Sequence, residues 1–335
     1  MKKAFIISGV FISGLIGAGF ASGSEILFYF SRYSTKGLLG IILAVFIFSF
    51  IQHAVISQSS TLKTYNLDSY LKIIMPKPFY IISSVVSYLF MMIVFCAMLA
   101  GSGELFGSLF GIKRLYGVLL MLLCTHCILS KGYKGFISAQ SFLSVIIIFS
   151  ILFFSIYILF FREKSVTVFN PQLDWGISSV SYASYNLLTS TAILCILAKD
   201  CDFNTSRKAS LITFTILLPI LTVLWYIICL YNGMIDLGAM PLLTIAMRQS
   251  GFLGYSYSVT IFISMLTTAV SNSYALITRL CDFSNKKTAY AFVMSTGFFA
   301  SAFDFEFIVD KLYRFTGILS VFILLTITKK YFIKK

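Results

Sequence analysis

Charge is what this sequence has least of. Only 11% of its 335 residues are charged, and acids are rarer than bases, 12 against 26. A water-soluble domain carries about 25% charged residues. This shortage excludes an ordinary soluble enzyme, and equally a disordered chain, which needs charge and lacks hydrophobes. Phosphate-binding glycine loops, paired catalytic acids and nucleophile–base constellations are also missing, so nothing points to an enzyme. No long Pro/Ser linker and no low-complexity tract divides the chain, which reads as one domain, 1–335. The cysteines do not form a disulfide framework. Cys96, Cys124, Cys127, Cys195 and Cys229 lie inside apolar runs, where a thiol is a small packing group. Cys124 and Cys127 have CxxC spacing, but no second ligand pair follows. No resident cofactor is expected, apart from a sodium ion discussed below.

What is present is hydrophobic: 59% of residues are apolar, 35 are Phe, and the mean hydropathy is +0.93. That composition defines an all-α polytopic membrane protein. Ten apolar runs can be drawn, near 4–31, 38–60, 79–107, 115–130, 136–161, 176–198, 209–233, 255–279, 288–303 and 312–328. A span needs about 20 residues, so ten fill the chain. The N-terminal stretch, with Lys2 and Lys3 before Ala4–Ile16, resembles a signal peptide. The apolar run resumes at Ile26 after Gly23, which favours a first transmembrane helix.

The net charge of +14 does not indicate nucleic acid, because Lys and Arg punctuate the gaps between runs. With a cytoplasmic N-terminus, 17 of the 26 basic residues fall on the inner side. The positive-inside rule then places both termini in the cytoplasm of a cell with the chain in its inner (plasma) membrane. Two connections carry short helices: residues 61–78, with Asp68–Met75 ahead of Pro76, and residues 234–252, with Pro241 at a favourable first-turn position. A lid over the outer mouth is one use for the second, and simple loop packing is the other. His53 and His126 are given no role.

The first run holds Gly14, Gly17, Gly19, Ser22 and Gly23 in ten positions, with Glu25 just beyond. Packing glycines of the GxxxG kind would explain one or two; five predict a broken helix. A break at the bilayer midplane frees N–H groups that favour a carboxylate and C=O groups that favour a cation. The sixth run is dense in hydroxyls, from Ser178 through Ser181, Ser184, Asn186, Thr189 and Thr191, and a matching interruption is expected there. The two are corresponding members of five-helix halves, about 4–161 and 176–328, and paired interruptions point to a transporter's binding site. The expected substrate residues are Gly17, Ala18, Gly19 and Phe20 on the first span and Tyr182, Ala183, Ser184 and Asn186 on the sixth. The N–H groups of Ala18 and Gly19 would face a carboxylate, and the 182–186 segment an ammonium group. Glu25 and Glu104, the acids placed inside apolar runs, are expected to approach one another or share a basic partner, in gating or proton coupling.

The segment Ile16-Gly-Ala-Gly-Phe-Ala-Ser-Gly-Ser-Glu25, followed by Phe28-Tyr-Phe30 and Gly37, resembles the opening of the YkvI-like bacterial membrane proteins of the amino acid–polyamine–organocation superfamily. The resemblance implies a LeuT-type 5+5 inverted repeat with helices 1 and 6 interrupted. It also implies cation- or proton-coupled uptake of amino acids or related small amines. By the same resemblance, hydroxyls of the eighth span, Thr267 and Thr268, with the carbonyl of Ser264, would meet the carbonyls of Ser13 and Ile16 around a sodium ion. Five oxygens suit that cation. Thr back-bonding to the carbonyl one turn earlier is the competing reading of those hydroxyls. The fifth span has no Lys to replace the cation. A nutrient sensor with the same pocket, signalling through a protein partner whose identity is unknown, is the alternative function.

Overall fold

The structure is a computed structural model that describes residues 1–160, 174–231, 236–238, 240–303 and 314–333. Of the basic residues weighed for orientation, Arg162, Lys164, Lys311, Lys334 and Lys335 lie outside them, as do 234, 235 and 239 of the lid connection. Among the described residues every regular element is helical.

Among the described residues, each of the ten apolar runs is mainly helical. The first is divided into α1 (Lys2–Leu15), α2 (Ala18–Ser22) and α3 (Ser24–Tyr29). Then follow α4 (Lys36–Leu62), the short α5 (Leu67–Ile74), α6 (Lys77–Phe110), α7 (Arg114–Leu129) and α8 (Gly132–Phe160). The second half contains α9 (Trp175–Leu197), α10 (Phe203–Tyr231), the short α11 (Pro241–Gln249), α12 (Gly251–Leu280), α13 (Lys286–Ala300) and α14 (Arg314–Ile333). Among the described residues, α4, α6, α8, α9, α10 and α12 are long and apolar enough to cross a membrane. The chain is a multi-pass membrane protein.

Local chemistry sets the boundaries. Asn66 caps α5 by accepting from the Ser69 N–H at 2.8 Å, and Pro76 follows its end. Pro241 opens α11, where its missing N–H costs nothing. Asp202 accepts from the Thr205 N–H ahead of α10, and this bond holds its exposed carboxyl below the usual range. Both expected short helices are therefore present.

The break in the first span is sharp. Ile16 and Gly17 leave helical geometry, with Gly17 extended at φ −88° and ψ −167°. Gly23 then takes φ +86°, a left-handed conformation that side chains with a Cβ resist, and turns α3 away from α2. The sixth span differs from expectation: α9 runs unbroken from Trp175 to Leu197. It contains no Pro, and no Gly after Gly176. Its polar side chains bond within the helix instead: Ser184 to the Val180 carbonyl, Asn186 to Tyr182, Ser190 to Asn186 and Thr191 to Leu187. Such back-bonding satisfies a hydroxyl in an apolar setting without freeing the backbone.

α1 sits in the centre of the bundle, against α8, α9, α10 and α12. Around it, α4 packs on α9 and α10, α6 on α7 and α12, and α14 on α9. At the Leu280 end of α12, Arg279 pairs with Asp68 of α5 at 2.6 Å and with Asp282 at 3.1 Å. Ser84 and Tyr88 of α6 also donate to Asp68. This network ties α5, α6 and α12 together at one mouth.

Candidate functional site

A small cavity lies beside the break in the first span. It is walled by Gly14, Leu15 and Gly17 to Gly19, by Glu25, by Phe90, Val94 and Met98 of α6, by Tyr185, Asn186 and Thr189 of α9, and by Thr268 of α12. Its free space is about 20 Å³, room for one or two waters, so the protein is closed around it. A second, smaller space shares Gly14 and Thr189 with it and continues between α1, α9 and α12 to Ser271 and Asn272.

Of the expected substrate residues, Gly17, Ala18, Gly19 and Asn186 line this cavity. Phe20, Tyr182, Ala183 and Ser184 are buried beside it and do not reach it. Helical rotation is the reason. With 3.6 residues per turn, positions 185, 186 and 189 share the cavity face of α9, while 183 and 184 turn elsewhere. Tyr182 instead centres an aromatic cluster with Tyr29, Phe30, Phe48 and Tyr185, at centroid distances of 5.0–5.7 Å.

Glu25 is 7% exposed, and its carboxyl lies against Gly19. A Cβ built on Gly19 would stand 2.4 Å from Glu25 Oε1, so only glycine permits this approach. Glu25 Oε2 is buried without a hydrogen-bond partner. Glu104 is elsewhere. It is partly exposed and pairs with Arg114 at 3.4 Å, a surface contact worth little energetically. The expected Glu25–Glu104 pairing is therefore corrected: α6 carries Glu104 out to the α6–α7 turn, whereas the Gly23 turn folds Glu25 inward.

Of the residues expected around a cation, Ser13, Ser264 and Thr267 meet between α1 and α12, and Thr268 stands against Gly17. Thr267 Oγ1 donates to the Ser13 carbonyl at 2.9 Å, across 254 residues of sequence, and also lies 2.9 Å from the Ser264 carbonyl of its own helix. Thr268 Oγ1 is buried without a hydrogen-bond partner and lies 3.2 Å from where a Gly17 Cβ would be, next to Ile16. Thr267 thus makes both the cross-helix contact and the back-bond. The orphaned Thr268 hydroxyl is an oxygen ready for a ligand, so the donor set fits a small hard cation.

Sequence reasoning missed Gln140. From α8 its Oε1 accepts from the Ser13 hydroxyl at 2.7 Å, and its Nε2 donates to the Thr267 carbonyl at 2.7 Å and to Ser271 Oγ at 2.8 Å. The signal for it is a lone amide in the apolar run 136–161. Gln140→Leu is expected to leave the Ser271 hydroxyl and the Thr267 carbonyl short of a partner. It should destabilise the protein by about 1–3 kcal/mol, read as a lower melting temperature in detergent.

No family model matches the chain. It is 25% identical over 333 residues to the uncharacterized membrane protein YkvI of Bacillus subtilis (strain 168), covering 93% of this chain and 91% of that protein. A Na+-coupled sialic acid symporter, solved substrate-bound and outward-open, superposes with a TM-score of 0.68 at 12% identity, over 92% of this chain and 74% of the other. MhsT in complex with L-phenylalanine gives 0.67 at 14% identity, over 90% and 79%. The chain is thus a multi-pass membrane protein of LeuT-type fold. In sequence it is similar to YkvI.

Proposed function

We propose that this protein is a secondary active transporter, not an enzyme, which carries amino acids or related small amines across the inner membrane by alternating access, coupled to sodium or protons. The observation that carries this reading is the closed cavity at the Ile16–Gly17 break, lined by unwound backbone and buried polar groups at the bundle centre. Irregular backbone at membrane depth is tolerated only against protein or a cavity, and transporters place substrate there.

The ten helical runs are read as ten spans in two inverted halves, with both termini cytoplasmic. Packing supports this. Exchanging the first five spans for the last five turns α4-on-α9 into α10-on-α1, and α14-on-α9 into α8-on-α1. The pairs α6–α12 and α4–α10 map onto themselves, and α5 takes the place of α11. Gly17, Ala18 and Gly19 with Asn186 are the substrate contacts. Ser13, Ile16, Ser264, Thr267 and Thr268 are the sodium ligands. The structures of similar fold, a Na+-coupled sialic acid symporter and MhsT in complex with L-phenylalanine, favour this chemistry.

The test is uptake of a labelled panel of amino acids and amines into proteoliposomes with imposed sodium or proton gradients. Gradient-driven accumulation of at least one compound is expected. Saturable binding with no flux under either gradient would replace the transporter with a sensor.

A further inference from the structure

The chemistry of the cavity narrows the substrate. Its wall carries one carboxyl group, Glu25, and no basic side chain. The next basic residue along the chain, Arg32, is committed elsewhere: its guanidinium lies 4.0 Å from the Phe28 ring centre and donates to the Tyr33 hydroxyl at 2.8 Å. Glu25 lines the cavity, and its Oε2 is buried with no hydrogen-bond partner. A buried carboxylate in that position requires a cation or a proton to offset its desolvation.

The other groups at the cavity also suit a cation. Asn186 donates one Nδ2 hydrogen to the Tyr182 carbonyl at 3.0 Å, which leaves its oxygen, an acceptor for an ammonium group, and one N–H at the cavity. The rings of Phe90 and Tyr185, with centroids 6.4 Å apart, complete the wall. Aromatic faces attract ammonium groups. A substrate carboxylate fares worse. The α2 segment has only five residues, which gives it little dipole, and the Glu25 carboxyl already covers Gly19. Two carboxylates about 4 Å apart in a partly buried setting disfavour each other by about a thousandfold.

We propose that Glu25 is the counter-ion of a substrate ammonium group, and that the site selects small organic amine cations over zwitterionic amino acids. Glu25 is then a specificity-determining residue. The free space of the cavity sets the size limit: the amine head enters between Glu25 and Asn186, and α6 moves back to admit its tail. This inference rests on the reading of the cavity as a substrate site.

The experiment titrates the purified full-length protein with methylamine, ethanolamine, putrescine, alanine and propionate. Thermal stabilisation reports binding, and uptake of the same compounds into proteoliposomes reports flux. At least one amine should stabilise the protein, with alanine at least about thirtyfold weaker and propionate inactive. Glu25→Gln should weaken amine binding by about thirtyfold or more, while the unliganded variant melts no lower, because an uncompensated buried carboxylate has gone. Glu25→Asp keeps the charge and should retain part of the binding. Alanine binding as well as the amines, no amine binding at all, or unchanged amine binding in Glu25→Gln would each overturn the assignment. Alanine flux that survives Glu25→Gln would overturn it and leave the transporter standing. Amine binding without flux would keep the assignment and overturn the transporter.

Discussion

Gly19→Val is expected to abolish uptake while leaving membrane insertion intact. The reason is steric and local to the site. Any Cβ at position 19 would stand 2.4 Å from Oε1, 2.6 Å from Cγ and 2.7 Å from Cδ of Glu25. The two branches of valine extend that overlap, so the Glu25 side chain must leave the cavity wall or α2 must shift. Overpacking of this kind costs about 1–3 kcal/mol, which a bundle of this size tolerates, so the protein should still reach the membrane. The site should not survive, because its one carboxyl is displaced. Gly19→Ala should show a milder form of the same defect. Paired measurements of surface-accessible protein and labelled uptake separate the two effects. Unchanged transport by the valine variant would show that the cavity beside Gly19 is not the substrate site.

The second large effect concerns Thr268. Thr268→Val keeps the shape of the side chain and removes its hydroxyl. If that hydroxyl binds sodium, losing a contact to a charged ligand costs about 1.5–3 kcal/mol, or about tenfold to a hundredfold in half-saturating sodium. Stability should be unchanged or slightly higher, since the hydroxyl is buried with no hydrogen-bond partner in the protein. Thr267→Val should behave differently. It removes the 2.9 Å bond to the Ser13 carbonyl that fastens α1 to α12, and should lower the melting temperature as well. Uptake and stability measured across a sodium series for both variants check the contrast. Sodium-independent uptake in the unaltered protein would leave Thr267 with only its hydrogen bonds to the Ser13 and Ser264 carbonyls and Thr268 with no cation to bind.

Much of this site could be read along the chain, because it is built from short-range chemistry. The cluster from Gly14 to Gly23 announces a broken helix. The break appears at Ile16–Gly17, and Gly23 adds a left-handed turn. Thr267 and Thr268 were legible as adjacent hydroxyls on an apolar helix, although their partner on α1 came from a resemblance and not from their spacing. The hydroxyls of the sixth span were read less well. Ser184, Ser190 and Thr191 signal polarity whether they line an unwound segment or bond back to their own helix, and here they bond back. The sequence pattern is the same in both cases. What differs is whether glycine or proline is present to weaken the helix.

Composition and hydropathy by themselves determined a multi-pass helical membrane protein, the positions of its apolar runs, its two short connecting helices and the break in the first span. These depend on transfer free energies and backbone propensities that act within one or two turns. The tertiary structure decided what those signals could not. It folded Glu25 back against Gly19 and sent Glu104 out to Arg114, two acids that look alike in an apolar run. It set Gln140 between Ser13, Thr267 and Ser271, partners up to 131 residues away. It turned Tyr185 and Asn186 toward the cavity and Ala183 and Ser184 away from it. Each of these outcomes depends on the rotation and depth of one helix relative to another, which is fixed when side chains from distant segments pack together.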